Sequence, residues 1–365
     1  DAITTGNSNV AVGYQTLSAD TLGDRNVAIG LQALMSQNFT SSTDSYNTAV
    51  GYAAGLSVTT GQVNTLVGGL SGDALTTGGE NTAIGYKTLS ANTTGAYNTA
   101  LGSRALANFN NTTSAGTYNT AVGYNAGNDV TTGVENTIIG GLAGDALTEG
   151  GLNVAVGTSA LGVDTKGSRN VAVGVSALNQ QNFTSATNSY NTGVGYQAGG
   201  AVTTGVQNTL IGGLAGDALT SSSDNTAVGY QALGSAITGN ENTAVGHSAL
   251  FTNILSDRNV ALGLDALRNH NQASSIDSYN TAVGYNTGAA VTTGVKNTLI
   301  GGLAGDAITD ADSNVAIGFE SLTTNQLGSK SVAVGQGSLS DQNPASATDM
   351  YNIAVGYNAG AAVTT

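Results

Sequence analysis

A five-residue motif, Asn-Thr-Ala-Val-Gly, recurs with small variations twenty times in 365 residues. Neighbouring copies begin either 17 or 21 residues apart and at no other spacing. Short fixed periods are typical of solenoids, in which each repeat buries its apolar face only by stacking on its neighbours. The sequence therefore predicts an all-β chain, a parallel β-roll or β-solenoid with one coil per repeat. The motif copies begin at Asn9, Asn26, Asn47, Asn64, Asn81, Asn98, Asn119, Asn136, Asn153, Asn170, Asn191, Asn208, Asn225, Asn242, Asn259, Asn280, Asn297, Asn314, Ser331 and Asn352.

The spacings combine into a larger unit of four repeats. One 21-residue and three 17-residue spacings give 72 residues from Asn26 to Asn98, from Asn98 to Asn170 and from Asn259 to Ser331. Between Asn170 and Asn259 one additional repeat gives 89 residues. We interpret residues 1–365 as a single repeat array that grew by duplication of this block. Both ends stop within a block and neither carries an atypical capping repeat, which predicts a fragment of a longer array.

The motif itself has the alternation of a β-strand. With Asn as position 0, positions 1 and 3 are mostly Thr, Val or Ile, position 2 is mostly Ala, and position 4 is always Gly. Both faces of such a strand are apolar or small, which is typical of a strand covered on both sides. We expect position 3 to be buried, as at Val50, Ile139, Val228 and Ile300. The Ala and Gly face would then be open to close approach by another copy of the chain.

The motif Asn has two structural interpretations. Its side chain can bond to local backbone at a turn or strand start, or stacked copies can form an amide ladder. The candidate ladder residues are Asn47, Asn64, Asn81, Asn98, Asn119, Asn136, Asn153, Asn170, Asn191, Asn208, Asn225, Asn242, Asn259, Asn280, Asn297 and Asn314.

All fourteen Tyr residues occupy two repeat positions. Aromatic rows can bind sugars, which makes surface glycans a candidate partner; alternatively, the rings seal the coil edges and direct their hydroxyls to solvent. Eight Tyr follow the motif Gly: Tyr14, Tyr52, Tyr86, Tyr124, Tyr196, Tyr230, Tyr285 and Tyr357. Six precede the motif Asn: Tyr46, Tyr97, Tyr118, Tyr190, Tyr279 and Tyr351.

The five 21-residue repeats carry four extra residues each, and such insertions usually form loops on one face of a solenoid. Most of the candidate N-glycosylation acceptors fall in these segments. A chain so rich in Asn, Ser and Thr also contains such sequons by chance. The sequons are at Asn38, Asn92, Asn110, Asn111 and Asn182.

Composition disfavours several partners. The net charge is −14 and the nine basic residues are scattered, so there is no basic stripe for nucleic acid, and an anionic membrane surface would repel the chain. No apolar run reaches the ~20 residues of a spanning helix, so we expect no membrane insertion by this segment. The chain has no Cys and therefore no disulfide or thiolate metal site.

We find no catalytic or metal-binding constellation. Gly140–Thr148 resembles a calcium-binding nonapeptide, but Ala143 stands where that motif has Gly, and the motif does not recur at nine residues. Its Asp residues (Asp73, Asp145, Asp217 and Asp306) lie at least four coils apart. His247 replaces a Tyr of the repeat, and His270 is expected in a loop. The sequence therefore predicts no enzyme activity, no cofactor and no metal site.

Two stretches suggest a family. Ser313–Gly318, with the sequence SNVAIG, resembles the SVAIG-type repeat of trimeric autotransporter adhesin heads, and Asn225–Leu233, NTAVGYQAL, resembles repeats of phage tail-fibre and bacterial surface proteins. The resemblance implies a left-handed parallel β-roll wound as a trimer. Together with the two apolar strand faces, it predicts a parallel homotrimer.

We expect such a trimer to continue end to end as a fibre outside the cell, at the cell surface or on a virion. It would serve as a rigid section and possible attachment surface. One alternative is a monomeric solenoid that binds ice or another regular surface through Thr rows. A third is a solenoid polysaccharide-active enzyme, which would need a cluster of acids and bases on neighbouring coils.

Overall fold

The computed structural model describes residues 3–112 and 116–365, and within them the chain is all-β with no helix. A three-residue strand follows the first residue of every motif copy, and successive motif strands pair in parallel. The predicted β-solenoid is therefore confirmed. The chain divides into two compact units, residues 1–189 and 190–365, and each is a stack of parallel coils.

The first unit has ten motif strands in one parallel sheet, paired in chain order. These strands are β1 (Val10–Val12), β3 (Val27–Ile29), β5 (Thr48–Val50), β6 (Thr65–Val67), β7 (Thr82–Ile84), β8 (Thr99–Leu101), β9 (Thr120–Val122), β10 (Thr137–Ile139), β11 (Val154–Val156) and β13 (Val171–Val173). The short strands β2 (Gly23–Asp24) and β12 (Gly167–Ser168) pair with β4 (Thr43–Asp44) and β14 (Thr187–Asn188).

The second unit repeats this arrangement with ten motif strands. They are β15 (Thr192–Val194), β16 (Thr209–Ile211), β17 (Thr226–Val228), β18 (Thr243–Val245), β20 (Val260–Leu262), β22 (Thr281–Val283), β23 (Thr298–Ile300), β24 (Val315–Ile317), β26 (Val332–Val334) and β28 (Ile353–Val355). The short strands β19 (Ser256–Asp257) and β25 (Gly328–Ser329) pair with β21 (Ile276–Asp277) and β27 (Thr348–Asp349).

The coil core is narrow and is filled by position 2 together with positions 7, 8 and 11. Where position 2 is Ala, position 8 is usually Leu, as with Ala155 and Leu161, both fully buried. Where position 2 is Leu or Ile, position 8 is Gly, as with Leu66 and Gly72. A Cβ added to Gly72 would lie 2.9 Å from a methyl carbon of Leu66. In these coils one large residue, at position 2 or at position 8 but not at both, fills the space between them, as close packing requires.

The Gly at position 4 is required by the approach of neighbouring coils. Gly51 has φ +143°, and a Cβ there would lie 2.5 Å from the carbonyl oxygen of Gly68 in the next coil. The same close contact recurs along both units, which accounts for a residue that never varies within the array.

The coil corners use left-handed backbone at residues other than Gly. Positions −1, 6 and 8 have φ near +50° to +65°, for example Tyr46, Ala53 and Leu34. Each such residue costs roughly 1–2 kcal/mol locally. Hydrogen bonds to the adjacent coil offset this cost: the Ala53 amide, for instance, donates to the Leu31 carbonyl at 2.9 Å.

Candidate functional site

The outward face of the motif strand is the most extensive candidate surface, and its register corrects our sequence prediction. Position 2 is buried in every motif strand except β1, whereas positions 1 and 3 are buried in none. Val50 and Val228 are half-buried, and Ile139 and Ile300 are 38% and 37% exposed. The prediction that position 3 fills the coil core is therefore wrong. The core is too narrow for β-branched residues on both sides, so Ala points inward and the larger side chains point outward.

The outward face carries no charged residue. In every strand it consists of Thr, Val or Ile at position 1 and Val, Ile or Leu at position 3. Parallel pairing places like positions side by side: Thr65 neighbours Thr82, and Val67 neighbours Ile84. Each unit therefore presents two apolar or hydroxyl-bearing rows that run across ten strands.

The two Tyr rows flank this face. All fourteen Tyr are at least 42% exposed, with Tyr97 the most covered and Tyr357 the least. Between Tyr52 and Tyr124, the Tyr residues at position 5 alternate with Gly69 and Ser103. The Tyr86 ring lies 3.7 Å from where a Cβ of Gly69 would stand. The rings thus cover neighbouring backbone while leaving about half their surface to solvent.

Charged clusters fasten the longer coils at the position −1 edge. The Arg25 guanidinium pairs with Asp44 and donates to the Tyr46 hydroxyl at 2.9 Å. Arg258 makes the equivalent contacts with Asp277 and Tyr279, and Lys330 with Asp349 and Tyr351. Around β8 and β9 the place of this cluster is taken by stacked rings of Tyr97 and Tyr118, 5.0 Å apart. The three clusters attach the insertions that contain Asp44, Asp277 and Asp349 to the preceding coil.

The sixteen motif Asn from Asn47 to Asn314 are all at most 1% exposed. Their side chains link adjacent coils, and in most of the 17-residue repeats they also close their own coil. The Asn64 amide N–H and side-chain Nδ2 both donate to Oδ1 of Asn47, at 2.9 and 3.2 Å. Asn64 Nδ2 also donates to the carbonyl of Gly78, fourteen residues on, at 3.1 Å. A turn Asn that merely tolerates unusual dihedrals would make none of these inter-coil bonds.

A second ladder, which sequence reasoning missed, runs along position 12. Thr131 Oγ1 donates to the Thr148 carbonyl at 3.1 Å, and Thr148 Oγ1 donates to the Thr165 carbonyl at 3.0 Å. In the 21-residue coils this position is Asn, and Asn182 Oδ1 accepts from Thr165 at 3.1 Å. The sequence did contain a signal for this ladder, because position 12 is Thr in most of the 17-residue repeats.

The sequons occupy different environments. Asn38 is exposed and Asn110 and Asn182 are half-buried, all at position 12. Asn111 is 6% exposed, and residue 113 of its sequon lies outside the described residues. Asn92 is fully buried, with Nδ2 bonded to the Gly95 carbonyl and Oδ1 to its amide. A glycan at Asn92 is therefore incompatible with this fold.

His270 lies inside the coil and not in a loop as expected. It occupies position 11, which points into the coil, and it is fully buried. Burial lowers the pKa of its imidazole to about 4. His247 is exposed and contacts the Tyr230 ring, with centroids 5.4 Å apart.

Position 11 also holds buried acids. Asp164 is fully buried and accepts from Gln181 Nε2 at 2.7 Å, and burial raises the pKa of its carboxyl. The carboxylates of the nonapeptide-like segments, Asp73, Asp145, Asp217 and Asp306, are half-buried. Within residues 3–112 and 116–365, no three His, Cys, Asp or Glu side chains are grouped so that they could hold a metal ion.

The described part of the chain contains no helix with the length and hydropathy needed to cross a bilayer. No protein-family model matches the chain, and comparison with curated proteins and with solved structures gave no match.

Proposed function

We propose that this chain is a structural section of an extracellular or virion fibre, in which parallel copies pack through the outward faces of their motif strands. The observation that carries the proposal is the composition of that face: positions 1 and 3 are uncharged in all twenty strands, yet none of these residues is buried within the chain. Monomeric proteins rarely expose such a continuous patch.

Three parallel copies are the arrangement implied by the resemblance to adhesin heads, and cyclic symmetry keeps equivalent coils at one level. Rows of Val and Ile would then meet around the symmetry axis, with Thr tolerated because its methyl group packs and its hydroxyl can bond locally. The proposed interface would be charge-depleted at its centre, as stable interfaces are. The flanking Tyr rows and the Arg25–Asp44 clusters would form its rim.

The test is a pair of matched double variants. Val50→Glu with Val67→Lys introduces opposite charges on adjacent strands of the outward face. Thr60→Glu with Thr77→Lys introduces the same charges at position 13, where Glu149 and Lys166 already form a 2.8 Å ion pair.

We expect the parent and the Thr60/Thr77 variant to have a native mass near three times the 35.9 kDa of one chain. The Val50/Val67 variant should dissociate to a folded monomer with an unchanged far-UV spectrum. Desolvating two charges at an apolar interface costs more than their mutual attraction returns. A parent that is monomeric in native mass measurements would refute the proposal.

A second candidate function is binding of ice or another regular surface by a monomer. It is favoured by six consecutive outward Thr at position 1, namely Thr48, Thr65, Thr82, Thr99, Thr120 and Thr137. Replacing Thr82 and Thr99 by Val, the residue found at this position in other coils, should leave the fold intact and abolish such binding. Ice-recrystallisation inhibition by the parent but not by this variant would favour the second candidate.

A further inference from the structure

Two neighbouring cations in the first unit have no carboxylate at ion-pair distance among the described residues, unlike most basic residues of the chain. Lys87 and Arg104 both occupy position 6 in consecutive coils, and the Arg104 amide donates to the Tyr86 carbonyl at 2.9 Å. Among the described residues neither forms an ion pair, whereas Arg25, Lys166, Arg258, Arg268 and Lys330 each do. Like charges side by side on adjacent coils repel each other. An anion between them would remove this repulsion.

These cations line a polar cleft with a volume of about 220 Å³. The remaining lining residues supply hydroxyl, amide and methyl groups. The lining consists of Lys87, Ser90, Arg104, Ala107, Asn108 and Asn128. The cleft is large enough for one small polar ring.

An accessible aromatic ring stands beside the cations. Tyr86 is 50% exposed, and Lys87 Nζ lies 5.7 Å from its centroid. The same position holds Gly69 in the preceding coil and Ser103 in the following one. With small neighbours at this position, half of the ring surface stays exposed beside the Lys87 ammonium. The exposed aromatic body is apolar and can pack against the C–H face of a sugar.

Nearby acids restrict the ligand to a single negative charge. Asp129 accepts from Asn108 Nδ2 at 3.0 Å and Asn128 Nδ2 at 2.7 Å, so a carboxylate already stands at the rim. Lys87 also interacts electrostatically with Asp73, whose pKa is raised mainly by burial. A densely charged polyanion would meet these acids and the net charge of −14.

We propose that Tyr86, Lys87 and Arg104 form a binding site for a sugar unit that bears one carboxylate. The carboxylate lies between the ammonium of Lys87 and the guanidinium of Arg104, and the sugar ring packs on Tyr86. Charge-assisted hydrogen bonds from the two cations provide most of the affinity, and the aromatic ring provides the preference for a sugar over a simple carboxylate. The residues of the site all belong to one chain. Tyr86 would lie at the rim of the assembly proposed above, which is the solvent-accessible part of an interface.

The test uses Lys87→Gln with Arg104→Gln, because Gln15 and Gln32 occupy the same position in other coils and show that Gln fits. Arg268→Gln with Lys296→Gln is the control, since it removes the same charge elsewhere. Calorimetric titration with glucuronate should show saturable binding by the parent and by the control. Binding should weaken roughly tenfold or more in the Lys87/Arg104 variant, which loses two charge-assisted hydrogen bonds.

Two further ligands separate charge from sugar recognition. Glucose, which lacks the carboxylate, should bind far more weakly than glucuronate to the parent. Acetate keeps the carboxylate and should bind more weakly than glucuronate by the smaller contribution of the Tyr86 ring. Tyr86→Ser, which introduces the residue that Ser103 provides at the same position of the following coil, should remove the preference for glucuronate over acetate. The proposal is overturned if the parent shows no saturable glucuronate binding, if acetate binds equally well, or if the control variant loses binding to the same extent. Native mass measured on the same samples reports on the fibre proposal separately.

Discussion

His270 provides a pH-dependent test of the coil interior. The imidazole is fully buried at position 11, and its Nδ1 has no hydrogen-bond partner among the described residues. Its Nε2 is 3.5 Å from Asn280 Nδ2, at the limit of a hydrogen bond. Burial therefore lowers the pKa of His270 from 6.5 to about 4, because the charged form would have to give up its hydration.

The stability consequence follows from proton linkage. The unfolded chain binds a proton at His270 below pH 6.5, whereas the folded chain does so only below about pH 4. Stability is therefore unaffected by this group above pH 6.5 and falls as the pH drops towards 4. A difference of about 2.5 units corresponds to a loss of about 3 kcal/mol at the acid end of that window.

His270→Gln is the perturbation, because the array already contains Gln at this position. Gln342 occupies this position in another coil, and the preceding coil has Asn at position 11 in both cases: Asn325 before Gln342 and Asn253 before His270. Gln342 Oε1 accepts from Asn352 Nδ2 at 2.9 Å. We expect the new Gln to accept from Asn280 Nδ2 in the same way and to carry no titratable group.

The measurement is the urea midpoint of parent and variant at several pH values between 7.5 and 4.5, followed by far-UV circular dichroism. Comparing the two proteins at each pH cancels the contributions of all other titrating groups. The advantage of the variant should grow steadily as the pH falls, approaching about 3 kcal/mol for the transition that includes this coil. A difference that stays constant across this range would show that His270 is not held neutral by burial, and the reasoning would fail.

Three further experiments test the core and the ladder. Asp164→Asn should raise the urea midpoint at neutral pH, because burial raises the pKa of Asp164. The stability that this carboxyl contributes is present at low pH and is lost as the pH rises through its folded pKa. The advantage of the variant should therefore shrink in acid. Ala155→Leu should cost about 1–3 kcal/mol by overpacking, and adding Leu161→Gly should recover most of it; additive effects in a double-mutant cycle would contradict the shared volume of positions 2 and 8. Asn136→Ala removes the acceptor of the Asn153 amide and the donor to the Gly150 carbonyl, and it should cost roughly 3 kcal/mol, measured by the same unfolding assay.

The period, the strand type and the parallel stacking were predictable because they depend on spacing and on the alternation of residues at positions 1 to 4. The sequence did not predict which face of each motif strand points into the coil. Both faces are apolar, so the alternation of apolar and polar residues gives no preference for either face. A usable signal did exist in the pairing of positions 2 and 8. Ile138 pairs with Gly144 and Ala155 with Leu161, and no coil has large residues at both positions. This exclusion identifies position 2 as an inner residue.

The burial of polar side chains at position 11 could not be predicted from the residue types at that position. Gln37, Phe109, His270 and Gln342 all occupy it, and no single physical class describes them. Their common property is contact with a particular neighbouring coil: Gln37 Nε2 donates to Asp20 Oδ2 at 2.7 Å. Such pairs are visible only once the register between coils is known, because their members are 17 residues apart and differ from block to block.

The substitution pattern of the outward face bears on the choice between packing and surface recognition. Val154 and Val171 interrupt the Thr row at position 1, whereas Val156 and Val173 keep position 3 apolar in the same two coils. A ligand that reads hydroxyl groups would be mismatched at both coils. A second copy of the chain would not, because Thr and Val have nearly the same shape and only an apolar contact is required. An interface between copies tolerates the interchange of Thr with Val and requires that the face be uncharged. Both features of the outward face therefore favour the fibre proposal over the monomeric surface binder.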